Sequence, residues 1–166
     1  AAAIDRDGWF HTGDAGYLKD SHLYLTERIK DLFKTSNGKY ISPQALETKL
    51  AIDRYIDQIA VIADERKFVS ALIVPVYGFV KDYAKEKGIA YSNMDELLQH
   101  SKIQALFRAR IDTLQQQFAH YEQVKRFTLL TEPFSMERGE LTNTLKLKRS
   151  VVAKNYKGLI DKMYEE

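Results

Sequence analysis

The sequence predicts an α+β domain, a short antiparallel sheet flanked by helices, with a small β-hairpin in front of it. Residues 56–62 and 68–76 are rich in β-branched side chains and are joined by a charged turn, which is typical of two antiparallel strands. Residues 103–118 place apolar side chains three and four positions apart, which indicates an amphipathic helix. Nearer the N-terminus, short alternating segments are interrupted by turn residues, which predicts the hairpin.

The composition fits one folded unit and argues against several classes of protein. With 166 residues, of which 45% are hydrophobic and 29% charged, the chain can bury one core. The net charge of +2, with basic and acidic residues interleaved, argues against a nucleic acid as the main partner. The absence of cysteine excludes disulfides, thiolate metal sites and a cysteine nucleophile, and it fits a reducing compartment, so we expect a cytoplasmic protein.

Neither a membrane span nor a signal peptide is predicted. No apolar run approaches the roughly 20 residues that a spanning helix needs. The chain starts Ala-Ala-Ala-Ile-Asp without a methionine and reaches turn-rich sequence within ten residues. We therefore expect it to be a fragment of a longer protein.

Two hairpins are predicted before the main sheet. Tyr17, Leu23 and Leu25 flank the polar stretch 19–22, which predicts a turn at Asp20-Ser21. The second hairpin joins residues 32–35 to 39–41 through Ser-Asn-Gly, and Asn-Gly is the most favourable short turn because both residues tolerate positive φ. The charged stretch between the two hairpins is a plausible domain joint.

Capping and breaking residues predict the remaining elements. Ser42-Pro43 opens a helix, since the serine hydroxyl caps free backbone N–H groups and proline fits the first turn. A polar helix over 79–87 ends at a glycine, and Asn93 or Ser92 caps a shorter one that runs through Leu98. A strand is predicted at 127–130, and a last amphipathic helix from Ser150 to the C-terminus.

A first candidate site lies in the segment Gly8-Trp9-Phe10-His11-Thr12-Gly13-Asp14. Asp14 follows a sharp bend and is well placed to accept hydrogen bonds from a vicinal diol such as a ribose. The alternative is that Thr-Gly-Asp forms an ordinary turn and that His11 is a loop residue rather than a base or a ligand.

A second candidate site spans residues 27–47. Arg28 lies fourteen residues after Asp14, across one hairpin, so both side chains could meet on one ligand. The alternative is that these charges form the solvated rim of a hairpin.

A third candidate site spans residues 140–149, a polar loop with threonine hydroxyls that leads to Lys146, Lys148 and Arg149. A lysine on such a loop can reach both a carboxylate and a phosphate and can stabilise developing negative charge. The alternative is the solvated start of a basic helix.

In this order and at these spacings, the three segments resemble the C-terminal region of the adenylate-forming ligases, the family of acyl-CoA synthetases, luciferases and peptide-synthetase adenylation domains. The resemblance implies that Asp14 holds the ribose hydroxyls of ATP and that Arg28 contacts the same nucleotide. Lys30 is similar to the hinge residue of the family. It would divide the chain into 1–29, the tail end of a large N-terminal AMP-binding domain, and 30–166, a mobile C-terminal domain.

The same resemblance implies roles for two loops beyond the hinge. Asn37, Gly38 and Lys39 would face CoA in the second half-reaction, and Lys146 falls where the family has its catalytic lysine. No metal ligand is implied within this chain.

Two departures from the common pattern narrow the subfamily. Glu27 stands where most members have glycine, and the final motif is Thr142-Asn143-Thr144-Leu145-Lys146-Leu147-Lys148-Arg149 rather than Ser-x-Gly-Lys. That motif resembles the Thr-Pro-Thr-x-Lys-x-Lys-Arg of long-chain fatty acyl-CoA synthetases, with Asn143 in place of proline. Lys148 is therefore a rival of Lys146 for the catalytic position. The additional helical stretch over 81–121 also resembles the long-chain group.

The activity implied is that of an acid–thiol ligase, which converts a fatty acid, ATP and CoA into acyl-CoA, AMP and pyrophosphate through an acyl-adenylate, with Mg²⁺. The fragment alone is expected to be inactive. Its expected partners are its own N-terminal domain and the three substrates, with no nucleic acid, and peripheral membrane association of the parent is left open.

Other interpretations remain open at this point. One is an adenylate-forming ligase that acts on a different carboxylate. Another is a stand-alone module that binds a nucleotide or CoA. A third is a helical interaction protein that uses the face carrying Phe107 and Phe118.

Overall fold

The structure, a computed structural model, describes residues 4–165, apart from the side chains of Thr26 and Glu27, so the subfamily departure at Glu27 lies outside the described side chains. The described elements are, in order, β1 (Asp14–Lys19), β2 (His22–Arg28), a 3-10 turn (Ile29–Asp31), β3 (Phe33–Lys34), β4 (Tyr40–Ile41), α1 (Pro43–Leu50), β5 (Ile56–Ile62), β6 (Val69–Pro75), α2 (Tyr77–Glu86), α3 (Met94–Gln99), α4 (Ser101–Leu114), β7 (Val124–Leu129), α5 (Arg149–Asn155) and α6 (Lys157–Lys162). The predicted α+β class, with a hairpin before the main sheet, is confirmed.

The main sheet has the strand order β5-β6-β7. The predicted antiparallel pairing of β5 with β6 is confirmed, and Ile59 lies opposite Ile73. The third strand, β7, pairs parallel to β6, so the sheet is mixed. A parallel pair needs a long crossover connection, and α2, α3 and α4 provide it.

Helices cover both faces of this sheet. Every residue of β6 is buried, and successive side chains enter opposite cores because side chains alternate along a strand. Ala71 and Ile73 join the larger apolar cluster, which includes residues of α1, α2, α3 and α4. Leu72 and Val74 join the smaller one, which includes residues of α5 and α6. This two-sided burial fixes the sheet on which the loops are mounted.

The N-terminal hairpin pairs β1 with β2 through the predicted turn. Asp20 and Ser21 both have positive φ, at 50° and 61°, as a two-residue turn of matching twist requires. Tyr17 and Tyr24 stack across the strands with ring centroids 5.1 Å apart. None of the residues 4–25 is buried.

The second hairpin and α1 also agree with the sequence. Gly38 has φ of +75°, and Thr35 and Lys39 close the loop through three hydrogen bonds. The Ser42 hydroxyl accepts the N–H of Ala45 at 3.4 Å, and proline occupies the first turn of α1.

Three boundaries differ from the prediction. Helix α4 ends at Leu114, before Phe118, because the buried side chain of Gln115 turns to bind the backbone of Val124 at the start of β7. The predicted C-terminal helix is divided into α5 and α6 at Tyr156. Strand β7 begins three residues earlier than predicted. Within residues 4–165, no helix has the length and apolar character to cross a membrane.

Candidate functional site

The predicted site residues Asp14, Arg28, Lys30 and Lys146 lie on three structures. The hairpin carries Asp14 and Arg28, the turn Ile29–Asp31 carries Lys30, and a loop between β7 and α5 carries Lys146. Their geometry determines what each can do.

The loop of Lys146 has a fixed backbone. Leu141 and Leu147 form an antiparallel bridge at its base. Across the loop, the N–H of Thr142 donates to the carbonyl of Lys146 at 2.8 Å, and the N–H of Lys146 donates to the Thr142 hydroxyl at 3.0 Å. The positive φ of Leu145, 60°, closes the turn. A flexible side chain therefore extends from a well-defined anchor.

Lys146 and the predicted hinge residue, Lys30, line the same groove. The groove has a volume of about 850 Å³, runs along β5 and is lined by residues of the 3-10 turn, α1, β5, the Lys146 loop and α5. It also contains Arg66, which pairs with Asp161 at 2.8 Å, and Arg149, which pairs with Glu47. Among the described residues, the ammonium groups of Lys30 and Lys146 have no ion-pair partner. They are therefore the cations of this groove that are available to an external anion.

Lys148 occupies a different environment. It is the residue before α5, and its N–H donates to the carbonyl of Glu140 at 2.7 Å. Lys146 belongs to the described residues that line the groove, whereas Lys148 does not. The geometry distinguishes the two lysines that the sequence leaves as rivals.

Asp14 and Arg28 meet across the hairpin. They are register partners at the open end of β1 and β2, and Arg28 Nε lies 2.7 Å from Asp14 Oδ1. The N–H of Asp14 donates a hydrogen bond to the Thr12 hydroxyl at 3.1 Å. Gly13 has a positive φ of +76°, which forms the predicted sharp bend. The Arg28 side chain is 54% exposed, so the pair is accessible to a ligand.

The loop Asn37-Gly38-Lys39 lies apart from the groove. Asn37 Nδ2 donates to the carbonyl of Lys67 at 3.4 Å, which ties the loop to the connection between β5 and β6. The Lys39 ammonium lies 5.5 Å from the ring centre of Tyr121. Added atoms at the Cβ position of Gly38 would meet nothing within 4 Å, so this backbone is open to close approach.

Two acidic residues at the ends of the predicted segments, the half-buried Glu47 and the fully buried Glu140, support the Lys146 loop. Glu47 in α1 binds Arg149 with both oxygens, 102 residues away. Glu140, which is fully buried, accepts from Arg138 Nε at 3.1 Å, from the N–H of Ser135 at 2.9 Å and from Asn155 Nδ2 at 3.1 Å. Glu47 is a weak signal in the sequence, because its partner Arg149 lies on another element.

Burial and hydrogen bonding act on Glu140 in opposite directions. Burial alone would raise the pKa of Glu140, but the hydrogen bonds from Arg138, Ser135 and Asn155 outweigh burial and hold the pKa below its ordinary value. The carboxylate at the base of the loop is therefore charged at neutral pH.

No group of three or more His, Cys, Asp or Glu residues within 4–165 is arranged to hold a metal ion.

Comparison with known proteins gives a consistent result. The family model described as AMP-binding enzyme C-terminal domain matches residues 30–166. The chain is 35% identical over 167 residues to Long chain acyl-CoA synthetase 7, peroxisomal, of Arabidopsis thaliana, with 98% of this chain and 24% of the relative covered. It is 36% identical over 169 residues to Long-chain-fatty-acid--CoA ligase 5 of Rattus norvegicus, again with 98% and 24% covered.

Among solved structures, the adenylation domain of a carboxylate reductase from Mycobacterium chelonae is similar, with a TM-score of 0.78 and 25% identity over 99% of this chain and 24% of that chain. The chain thus spans about a quarter of the length of the curated relatives that it matches.

Proposed function

The chain belongs to the family of AMP-binding enzyme C-terminal domains, and we propose that it serves as the C-terminal part of a long-chain fatty acid–CoA ligase. Relatives that are named as a long-chain acyl-CoA synthetase and a long-chain fatty acid–CoA ligase, and that are 35% and 36% identical over 98% of the chain, support this substrate class. The observation that carries the proposed chemistry is the unpaired Lys146, held on a rigid loop in the same groove as Lys30.

The proposal divides the chain at the 3-10 turn. Residues 1–29 are the end of a large nucleotide-binding domain, and residues 30–166 are the mobile domain, with Lys30 as the hinge. The start of the family match at residue 30 supports this division. The N-terminal hairpin has no buried residue within 4–25, whereas the part of the chain after residue 30, here called the body, contains the hydrophobic core, which supports it too.

In the first half-reaction, a fatty acid carboxylate attacks the α-phosphorus of ATP, an acyl-adenylate forms and pyrophosphate leaves. Two anions must approach each other in this step. Lys146 lies between them as a compact cation, aligning the carboxylate with the phosphate and stabilising the charge that moves toward the leaving group. Asp14 accepts hydrogen bonds from the ribose hydroxyls, and Arg28 contacts the same nucleotide.

In the second half-reaction, the sulfur of CoA attacks the acyl carbon of the adenylate, and AMP leaves. Rotation about Lys30 removes Lys146 and brings Asn37, Gly38 and Lys39 to the place where CoA enters. The open backbone at Gly38 suits close contact with a ligand. Asp14 and Arg28 precede the hinge, so they keep the nucleotide in place during both steps.

ATP, CoA and Mg²⁺ are the cofactors of the proposed reaction. Mg²⁺ neutralises phosphate charge when it is bound. Lys146 is the cation that this chain itself would contribute beside the same phosphate charge.

A second candidate is an adenylate-forming enzyme that acts on a different carboxylate. The likeness to the adenylation domain of a carboxylate reductase favours it. The two candidates share the role of Lys146 and differ in the carboxylic acid and in the acceptor of the acyl group.

The function is tested by Lys146→Ala in the complete ligase, in which this chain is joined to its large domain. Removing a preorganised cation from a charge-shifting transition state costs on the order of 3 kcal/mol, or about a hundredfold in rate. Fatty-acid-dependent pyrophosphate exchange should fall by that factor. Thioester formation from ready-made acyl-adenylate should stay within a few-fold, because the lysine has left the site.

Lys148→Ala is the matched control and should leave both half-reactions nearly unchanged. If Lys148→Ala abolishes exchange and Lys146→Ala does not, the catalytic assignment is wrong by two residues. If Lys146→Ala slows both half-reactions equally, the two-pose mechanism does not apply.

A further inference from the structure

Arg149 connects three parts of the fold that the proposed mechanism uses separately. It is the first residue of α5 and follows Lys146 by three positions. Its guanidinium contacts α1 through Glu47 and β3 through Phe33. Strand β3 begins directly after the segment that contains the hinge turn.

The contact with Glu47 is a two-point ion pair. Arg149 Nη2 lies 2.6 Å from Glu47 Oε2, and Nη1 donates to Oε1. The two side chains are 28% and 15% exposed, so the pair is largely removed from solvent. A bidentate arginine–carboxylate pair fixes orientation as well as distance. It therefore holds the start of α5 in one position against α1.

Glu47 is itself held by the main sheet. The N–H of Val61 in β5 donates to Glu47 Oε1 at 2.8 Å. The carboxylate is thus shared between the sheet and Arg149. Any displacement of α5 relative to β5 would break charge-assisted hydrogen bonds on both sides.

The contact with Phe33 extends the connection toward the hinge. The Arg149 guanidinium carbon lies 5.6 Å from the ring centre of Phe33, within the range of a cation–π contact. Phe33, Glu47 and Arg149 all line the groove that contains Lys30 and Lys146.

We propose that Arg149 is a positioning residue for Lys146, and that its bonds with Glu47 and Phe33 hold the start of α5, and with it the Lys146 loop, in one position against α1 and β3. This inference rests on the proposed function. It assigns to Arg149 a role that needs no contact with substrate.

The test is Arg149→Lys in the complete ligase, with Glu47→Gln as a second variant that breaks the pair from its other side. Lysine keeps the charge but lacks the planar fork of arginine. A misplacement of about 1 Å at a reacting group can cost up to about a hundredfold in rate. We expect the kcat of pyrophosphate exchange to fall about tenfold or more, with KM for ATP and fatty acid within about twofold.

Thioester formation from ready-made acyl-adenylate should change less than about threefold in both variants, because Lys146 is not in the site at that step. This separation of the half-reactions is a readout that a purely structural ion pair would not give.

Arg110→Lys is the matched control. Arg110 Nε binds both oxygens of Asp53, at 2.8 and 2.6 Å, and its side chain is 36% exposed. The pair joins α4 to the segment before β5, and the contacts described for these two residues include none with the Lys146 loop. Its replacement should lower stability by an amount similar to Arg149→Lys and leave the ratio of the two half-reactions unchanged.

The outcomes separate this inference from the function on which it rests. If Lys146→Ala leaves exchange intact, the proposed function fails. If Lys146→Ala abolishes exchange while Arg149→Lys and Glu47→Gln behave like Arg110→Lys, or slow both half-reactions equally, the positioning role is refuted and the proposed function stands.

Discussion

The N-terminal hairpin and the body that follows the hinge turn are stabilised in opposite ways. In the body, every residue of β6 is buried and the large ring of Phe107 is completely enclosed. Trp9, just before the hairpin, is 73% exposed, and Leu18 in the hairpin is 76% exposed. The two strands of the hairpin are held by their backbone ladder and the stacked pair Tyr17–Tyr24. An isolated two-stranded hairpin is marginally stable in water.

This difference bears on how function is distributed along the chain. The hairpin carries the residues proposed to hold the nucleotide, and the body carries the lysine proposed to act in only one step. Exposed apolar side chains on the hairpin and just before it, such as Leu25 and Trp9, suit burial against the large domain of the proposed ligase. Residues that stay with the nucleotide would then be fixed to that domain, whereas Lys146 would move with the body.

The largest expected effect is a loss of stability when a residue in the core of the body is replaced, compared with a replacement in the hairpin. Phe107→Ala removes a fully buried ring from the larger cluster and should lower the free energy of unfolding of this chain by about 3–5 kcal/mol. Leu18→Ala, in the exposed hairpin, should change it by less than about 0.5 kcal/mol. Urea denaturation followed by circular dichroism measures both.

Comparable losses of unfolding free energy in Phe107→Ala and Leu18→Ala would mean that the hairpin is part of the cooperative core, and would contradict the difference described between hairpin and body. A loss in Leu18→Ala alone would mean that the hairpin is the more important of the two for stability.

A smaller loss of stability is expected within the body, at Glu140 at the base of the Lys146 loop. Glu140→Gln keeps the shape of a buried side chain but removes the charge that Arg138 neutralises, and should cost about 1–3 kcal/mol. The folded state holds the pKa of Glu140 below its ordinary value. The carboxylate therefore contributes stability that is fully present above about pH 4.3 and is lost as pH falls through the folded-state pKa.

The difference in unfolding free energy between the parent chain and Glu140→Gln should accordingly be constant near neutral pH and should shrink on acidification below about pH 4.3. Thermal or urea unfolding from pH 7 to pH 3 measures it. A difference that grows toward acid pH would have the wrong sign for a carboxylate with a lowered pKa.

Local signals in the sequence were sufficient for the hairpins, the capped helices and the first two strands of the sheet. Asn37-Gly38 and Ser42-Pro43 determine structure through their own backbone and side-chain preferences, without distant partners. The class of the chain followed from the order of three motifs rather than from any one of them, and the family match bears this out.

What the sequence did not predict depends on contacts across long separations. The parallel pairing of β7 with β6 depends on how three helices cross the sheet, and the early end of α4 depends on Gln115 binding the backbone of Val124. The pair Glu47–Arg149 joins residues 102 positions apart. A single sequence does not show which oppositely charged residue a given charged residue will contact in the folded chain.

The smallest expected effect on stability is in the hairpin, at Arg28, which is proposed to contact the nucleotide. Arg28→Ala breaks the pair of Arg28 Nε with Asp14 Oδ1, and because the arginine is 54% exposed the loss should be below about 1 kcal/mol in urea unfolding of this chain. In the complete ligase, losing a charge-assisted contact with the nucleotide should raise KM for ATP about tenfold, which corresponds to about 1.4 kcal/mol. Because the hairpin is proposed to hold the nucleotide in both poses, thioester formation from acyl-adenylate should also weaken, unlike in Lys146→Ala. Arg28→Lys, which keeps the charge, should recover part of the loss. If instead Arg28→Ala strongly destabilises this chain and leaves KM for ATP unchanged, the ion pair is structural, and the hairpin does not carry the nucleotide contact assigned to it.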